Sequence, residues 1–204
     1  MPKTLQFRRG TTANLASQTG SVGELFVDTS KTTVVVMDGV TAGGTPLAKE
    51  ADVFGAKTLV TKQTFAGSTT SLAVEFTNVV ENVTVTSTAA TGIIQFDVTT
   101  QNILYSTAAA AASWILNFRA SSTTSLNSVM NTGESLSVVF MATQGGTAYF
   151  NTSITVDGTA VTPRWQGGSA PSAGNTSSID VYAYTIIKTA SSTYTVLASQ
   201  TQYK

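Results

Sequence analysis

Apolar and hydroxylic residues alternate with a period of two along most of the chain beyond Phe65. This period is typical of strands that bury one face of a sheet. Glycine pairs and Asp-Gly turns separate the alternating runs, as at Gly145-Gly146 and Asp157-Gly158. The pattern predicts strands over residues 58–65, 72–77, 79–86, 93–98, 102–106, 114–118, 135–142, 147–156, 160–164, 179–188 and 193–199.

The first 47 residues show shorter apolar runs between polar turns. Residues 4–9, 23–28 and 32–39 are predicted as strands, and the last two are expected to form a hairpin. Asp38 and Gly39 then indicate a turn. This stretch therefore predicts a small β-rich unit.

A short helix is expected between the first two of these strands. Thr11 or Thr12 has the hydroxyl that an N-cap needs, and Gly20 is suited to close the helix. Leu15 and Ala16 are predicted on its buried side.

The fold class predicted from these patterns is mainly β, with a small N-terminal β module followed by a β-sandwich, jelly-roll-like domain. We assign residues 1–50 to the module, 51–64 to a linker and 65–204 to the sandwich. The density of charged residues falls at this boundary, because residues 65–204 contain only four basic and six acidic side chains.

Composition removes several classes of function. Charged residues make up 11% of the chain and the formal net charge is zero, so no electrostatic attraction to nucleic acid or to a membrane surface is expected. The sequence has no cysteine and no histidine, which excludes thiolate chemistry, Ser-His-Asp triads and zinc sites built on these residues. The start, MPKTLQFRRG, lacks the apolar core of a signal peptide, so we expect assembly in the host cytoplasm.

Arg8 and Arg9 precede Gly10 and invite two interpretations. Paired arginines can bind a phosphate, but the following residues lack the glycine and lysine spacing of a phosphate-binding loop. The alternative is that one arginine pairs with Glu24 or Asp28 and the other faces a partner chain.

No cofactor, metal or catalytic site is predicted. The carboxylates Asp97, Asp157 and Asp180 are not paired by the sequence, as a glycosidase would require. Asp157 fits a turn, while Asp97 and Asp180 are expected to bind Arg119 or Lys188. The aromatic candidates for a receptor or interface surface are Trp165 and Tyr149, with Arg164 beside the first. The alternative for such aromatics is the core.

The opening stretch, FRRGTTANLASQTGSVGELFVDTSKTTVVVMDGVTAGGTPLA, resembles a module at the start of tail-fibre and tropism-determinant proteins of tailed phages. The resemblance implies a β-rich unit that associates as a homotrimer and attaches the protein to the particle. The attachment or oligomer-interface residues that it suggests are Phe7, Arg8, Arg9, Glu24, Asp28 and Asp38.

Later stretches, such as STAATGIIQFDVTTQNILYSTAAAAASWILNFR and TSLNSVMNTGESLSVVF, resemble a domain of structural proteins of marine cyanophages. Together the two resemblances imply a non-enzymatic virion protein on the particle exterior, homotrimeric, in contact with other virion proteins of the capsid or tail. It would decorate the capsid or form a short fibre or knob. The alternatives are a tail-fibre protein that binds a host surface glycan and, less favoured, a glycan-degrading tailspike.

Overall fold

The structure is a computed structural model that describes residues 7–47, 62–65, 67–70 and 74–204. The chain divides into two compact units, Met1–Glu75 and Phe76–Lys204. The predicted linker falls largely outside the described residues, so the domain boundaries at 50 and 64 stay predictions.

The first unit contains a four-stranded sheet in the order β1-β2-β3-β4. Strand β1 runs parallel to β2, and the remaining neighbours are antiparallel. Its core is the cluster Leu15, Phe26, Val35 and Met37. The elements are β1 Arg8–Gly10, α1 Thr12–Leu15, β2 Leu25–Asp28, β3 Thr33–Val36 and β4 Thr45–Pro46.

The predicted helix is present but shorter than expected. The Thr11 hydroxyl accepts a hydrogen bond from the Asn14 backbone N–H, and Leu15 is buried as predicted. The helix is already capped at Ala16, which is exposed rather than buried. The extension to Gly20 was therefore wrong, because a single turn between two strands is enough to place Leu15 over the sheet.

The second unit consists of two sheets, one of six strands and one of four. Their orders are β12-β14-β13-β9-β7-β5 and β11-β10-β8-β6. The strands are β5 Val83–Thr86, β6 Gly92–Asp97, β7 Ile103–Ser106, β8 Trp114–Arg119, β9 Ser135–Thr143, β10 Asn151–Val156, β11 Thr159–Val161, β12 Arg164–Trp165, β13 Ile179–Ala190 and β14 Thr193–Tyr203. A four-residue helix, α2, spans Leu126–Val129.

From β5 to β10 the chain alternates between the two sheets, so β5, β7 and β9 are parallel neighbours in one and β6, β8 and β10 in the other. The hairpin β13–β14 then completes the six-stranded sheet by pairing β13 antiparallel with β9. Strand β12 pairs in parallel with β14 at the far edge.

Large side chains from both sheets meet in one core. Trp114 of the four-stranded sheet packs edge-on against Phe140 and Tyr182 of the six-stranded sheet, with ring centroids 5.6 Å apart in both pairs. Phe118 and Tyr184 make a similar pair at 5.1 Å. These contacts join the two sheets as a sandwich, since they lie between the layers.

The mainly β fold and the two-sheet sandwich are confirmed. The comparison with a jelly roll holds for the packed layers but not for the pairing, because a jelly roll is antiparallel and most neighbours here are parallel. The described residues of the predicted strands 58–65 and 72–77, and residues 79–82, are not in strands. Alternation alone does not form a strand where no neighbouring strand supplies hydrogen bonds.

Candidate functional site

The first candidate surface is built around an ion pair in the N-terminal unit. Strand register places Arg8 beside Phe26, and the guanidinium lies 4.4 Å from the centre of the Phe26 ring. Its Nη1 donates to Glu24 Oε1 at 2.8 Å. The hydrogen bond from Arg8 is the main reason that the pKa of Glu24 lies below its ordinary value. Arg8 therefore stabilises its own unit by pairing with Glu24, as the alternative to phosphate binding predicted for one of the two arginines.

Asp28 ties the helix to the turn after β2. Only 3% of this residue is exposed, and its Oδ2 accepts a hydrogen bond from the Thr12 hydroxyl at 2.6 Å. Oδ1 accepts from the backbone N–H groups of Ser30 and Lys31 at 2.9 and 3.0 Å. The Thr12 bond is the largest influence lowering the pKa of Asp28.

Asp38 organises the predicted turn. Its Oδ1 accepts from the backbone N–H groups of Val40 and Thr41 at 2.9 and 2.7 Å, and Oδ2 accepts from the Thr41 hydroxyl at 2.6 Å. These bonds, the hydroxyl first, lower the pKa of Asp38 to about 2. Gly39 follows with a φ of 81°.

Two of the six suggested attachment residues remain open to a partner. Phe7 is 50% exposed, and the exposed side chain of Arg9 makes no ion pair or hydrogen bond with the described residues. Arg8, Glu24, Asp28 and Asp38 instead bind groups of their own unit. An interface role for this set stays a prediction.

The N-terminal sheet has two different faces. Phe26 and Val35 point to the core under α1, whereas the alternate positions point away from it. Register pairs Leu25 with Val36 and Val27 with Val34, so four apolar side chains form one outward patch. We call Leu25, Val27, Val34 and Val36 the N-terminal face; Leu25 is 37% exposed and the others are half-buried.

The second candidate surface surrounds Trp165 at the edge of the sandwich. The indole packs edge-on against Tyr184 at 6.0 Å and is half-buried. It lies between two open grooves, each with a volume of about 430 Å³. One groove is lined by Arg164, Ala183, Thr185, Leu197 and Ser199, and the other by Gln166, Ser169, Pro171, Gln200 and Thr201.

The structure brings Arg164 and Trp165 together but not Tyr149, which lines neither groove. Tyr149 is half-buried, and its backbone N–H and C=O both bind the side chain of Gln144. Exposed Arg164 adds a positive charge to the groove that contains Thr185 and Ser199. Trp165 thus has a core contact and an accessible side.

The candidate carboxylates of the second unit bind other groups of the same unit. Asp97 forms an ion pair with Arg119 at 2.6 Å, one of the two partners expected for it. Among the described residues no group of three carboxylates could hold a metal ion. No helix in the described ranges is long and apolar enough to cross a membrane.

Asp180 departs from the sequence-based expectation, because it binds neither Arg119 nor Lys188. Its carboxylate is fully buried and accepts hydrogen bonds from Gln144 Nε2 at 3.0 Å and the Asn175 N–H at 3.1 Å. Burial raises the pKa of Asp180 in spite of these bonds. An acidic residue at an inward position of an alternating strand was the one signal that could have revealed this network.

Asp157 and Lys188 also make contacts that the sequence did not predict. Asp157 occupies the predicted turn, with a φ of 51°, and its carboxylate also accepts from two N–H groups at the start of α2. The Lys188 ammonium donates to two carbonyls at the end of the same helix. No sequence pattern links these positions, because 31 residues separate Asp157 from Leu126.

Comparisons with known proteins concern the N-terminal segment. Residues 5–41 match the model of the Major tropism determinant N-terminal domain. A tail fiber receptor-binding protein of Bordetella phage BPP-1 is 59% identical over 49 residues, which are 24% of this chain and 13% of that protein's length. The solved Major Tropism Determinant U1 Variant is 59% identical over 24% of this chain, with a TM-score of 0.24, and the I1 Variant is 62% identical over 22%, with a TM-score of 0.22.

The predicted resemblance of the opening stretch to a phage tropism-determinant module is confirmed at this level. The similarity lies in the sequence of that segment, and the matched part is a small fraction of the relatives' own length. The residues that carry the Arg8–Glu24 pair and the Asp28 and Asp38 turns lie within the matched range 5–41.

Proposed function

We propose that this chain is a non-enzymatic structural protein on the exterior of a bacteriophage particle, where it serves host attachment. Its N-terminal module attaches it to other virion proteins and associates as a homotrimer, and its sandwich is presented outward. The observation that carries the proposal is the 59% identity over 49 residues to a phage tail fiber receptor-binding protein.

The N-terminal face supplies a physical reason for self-association. Val34 and Val36 pair across the sheet with Val27 and Leu25, and nothing polar interrupts the patch. Apolar area removed from water is the main favourable contribution to association. Arg9, at the register position of Val27, lies at the margin of the patch and is available to a carboxylate of a neighbouring copy.

Native mass spectrometry of the purified protein tests the association. The chain should be a trimer or a pair of trimers at micromolar concentration, and Val34→Glu should dissociate the trimer, because a buried unpaired carboxylate opposes assembly. The matched control is Val22→Glu, since Val22 is 81% exposed and lies outside the N-terminal face. A monomeric wild-type chain would contradict the homotrimer.

Two placements on the particle remain within the proposal, a capsid-decorating protein and a short fibre or knob. The cyanophage-like resemblance of the second unit is compatible with either. Copy number distinguishes them: cryo-electron microscopy of the particle should find many copies over the shell in the first case and a few at the tail in the second. Absence of the protein from purified particles would refute a virion role.

A host-glycan receptor site at Trp165 is the alternative for the second unit, and the two grooves beside the indole favour it. Arg164→Ala changes an exposed side chain in the groove wall, so the fold should be retained. Under this alternative the variant should compete less well than wild type for phage adsorption to host cells. Unchanged competition would count against it, and release of sugar from host polysaccharide would overturn the non-enzymatic assignment.

A further inference from the structure

The outward face of the six-stranded sheet carries two rows of apolar side chains. Strand register aligns residues of β5, β7, β9 and β13 at the same level across the sheet. The first row is Val85, Tyr105, Met141 and Val181, and the second row is Val83, Ile103, Val139 and Ala183.

These side chains point away from the core of the sandwich. Their sequence neighbours Leu104, Phe140 and Tyr182 are buried between the sheets, so the alternate positions face outward. The row residues are half-buried on β7, β9 and β13, and Val85 on the edge strand is 62% exposed. The rows are therefore open in the single chain.

The centre of this face is uncharged, and the exposed Arg164 of β12 lies at its far edge, where it lines a groove together with Ala183. The outward positions of β5, β7, β9 and β13 include no aspartate, glutamate, lysine or arginine. Beyond the rows the outward side chains are mainly hydroxylic, for example Ser137 and Thr185, whose hydroxyl oxygens lie 3.5 Å apart. A partner bound here is recognised by apolar contact and hydroxyl hydrogen bonds rather than by charge.

The dimensions of the face suit a protein interface. Strand β9 has nine residues, which extend about 30 Å at about 3.4 Å per residue. Six strands spaced about 4.8 Å apart extend roughly 24 Å across the sheet. The six strands differ in length and together contain 42 residues, which at these spacings cover roughly 700 Å², close to the roughly 800 Å² per partner of a standard specific interface.

We propose that this face binds the same face of a second copy of the chain. A surface with an uncharged apolar centre and mainly hydroxylic margins is complementary to itself, and packing of two such sheets buries both apolar centres. The inference deepens the proposed function and rests on its self-association, to which it adds a contact in the second unit. A contact between like faces joins copies in pairs, so it joins copies of two different homotrimers rather than the three copies within one.

A single introduced cysteine tests the contact directly, because the natural chain contains none. In the purified full chain, the Val139→Cys thiol should react slowly with a maleimide at concentrations where copies associate and faster after dilution. Ser153→Cys is the matched control, since Ser153 is exposed on the four-stranded sheet and should react quickly at every concentration.

A charged variant gives a second measurement. Val181→Glu should weaken association of the second unit by about 100-fold, because an unpaired carboxylate would be buried in the contact. Ser153→Glu should leave association unchanged. Circular dichroism identifies any variant that fails to fold, and the cysteine measurement then decides the question alone.

Three results would overturn the inference, and they also separate it from the proposed function. If the chain is a trimer that Val34→Glu dissociates while the Val139→Cys thiol reacts freely, the face is open and association belongs to the N-terminal unit alone. If that thiol is protected in a monomer, the chain's own residues cover the face. If a monomer leaves it reactive, both contacts fail, although detection of the protein in purified particles would still support the virion role.

Discussion

Asp157 and Lys188 bind opposite ends of the four-residue helix α2. The Asp157 carboxylate accepts from the N–H groups of Leu126 and Asn127 at 2.6 and 2.9 Å. The Lys188 ammonium donates to the C=O groups of Asn127 and Met130 at 2.6 and 2.7 Å. A helix this short has no partner within itself for most of its backbone groups, so these two side chains take that role.

Asp157→Asn should therefore destabilise the second unit by about 1–2 kcal/mol, because the amide oxygen can replace only one of the two charge-assisted hydrogen bonds. Asparagine tolerates the positive φ at this position, so the change acts on the hydrogen bonds rather than on the backbone. Urea unfolding measures the loss, and amide exchange at Leu126 and Asn127 should accelerate. Glu81→Gln makes the same chemical change at an exposed site and should have no such effect.

The buried carboxylate of Asp180 should make the second unit less stable as the pH rises above the ordinary pKa of an aspartate. Burial raises its folded-state pKa, so the folded unit keeps the proton to a higher pH than the unfolded chain does. Its contribution to stability is greatest below the ordinary value and decreases as the pH rises through the interval up to the raised value.

Asp180→Asn should remove this pH dependence. The amide oxygen can keep the bonds from Gln144 and Asn175, and the NH₂ group can donate to the Ser178 hydroxyl. The test compares the free energy of unfolding of wild type and variant from acid to neutral pH. Parallel curves for the two proteins would show that Asp180 does not contribute.

Arg8→Ala and Arg9→Ala should differ although the two residues are adjacent. Loss of Arg8 removes the ion pair with Glu24 and the contact with Phe26, so the pKa of Glu24 should return toward its ordinary value. Because the Arg8 side chain is largely exposed, the loss of stability should be small. Carboxyl NMR titration of Glu24 measures the effect, and an equal shift in Arg9→Ala would contradict the assignment.

Gly44→Ala should disrupt the N-terminal unit. A Cβ at this position would lie 2.7 Å from Met37 Sδ and 2.8 Å from the Val36 carbonyl oxygen, and φ is +59°. The expected loss is about 3 kcal/mol, from backbone strain together with overpacking. Gly23→Ala is the matched control, because φ there is +79° but no atom lies within 4 Å. It should cost only about 1–2 kcal/mol. Thermal unfolding of both variants would be compared, and equal losses would refute the role of the close contacts.

The alternating pattern located well the strands that have a hydrogen-bonded neighbouring strand on each side. Residues 179–188 were predicted and β13 spans Ile179–Ala190, with Tyr182 and Tyr184 on the buried side as expected. The same pattern failed at residues 79–82, where exposed Val79 and Val80 have no strand neighbour. Alternation with a period of two shows that the side chains suit a half-buried strand. A strand also requires a neighbouring strand that can form hydrogen bonds with its backbone.

Most contacts between residues far apart in the sequence could not be predicted from it. The alternation of successive strands between two sheets follows from which strands pair, and local turns do not specify that choice. The Arg8–Glu24 pair was among the predicted options because only a few acidic residues lie nearby in the module. Lys188 was expected to meet a carboxylate and instead binds carbonyl groups, because α2 itself was not foreseen.

The late entry of β13 has a consequence for synthesis. Val181 and Ala183 supply one column of the apolar rows, and they take their places only when β13 pairs with β9. A nascent chain that has not yet emerged beyond Ile179 presents β9 as an open edge and lacks part of the proposed contact. Copies would then make this second contact only after residues 179–203 have been translated, so that interrupted chains associate through their N-terminal modules alone.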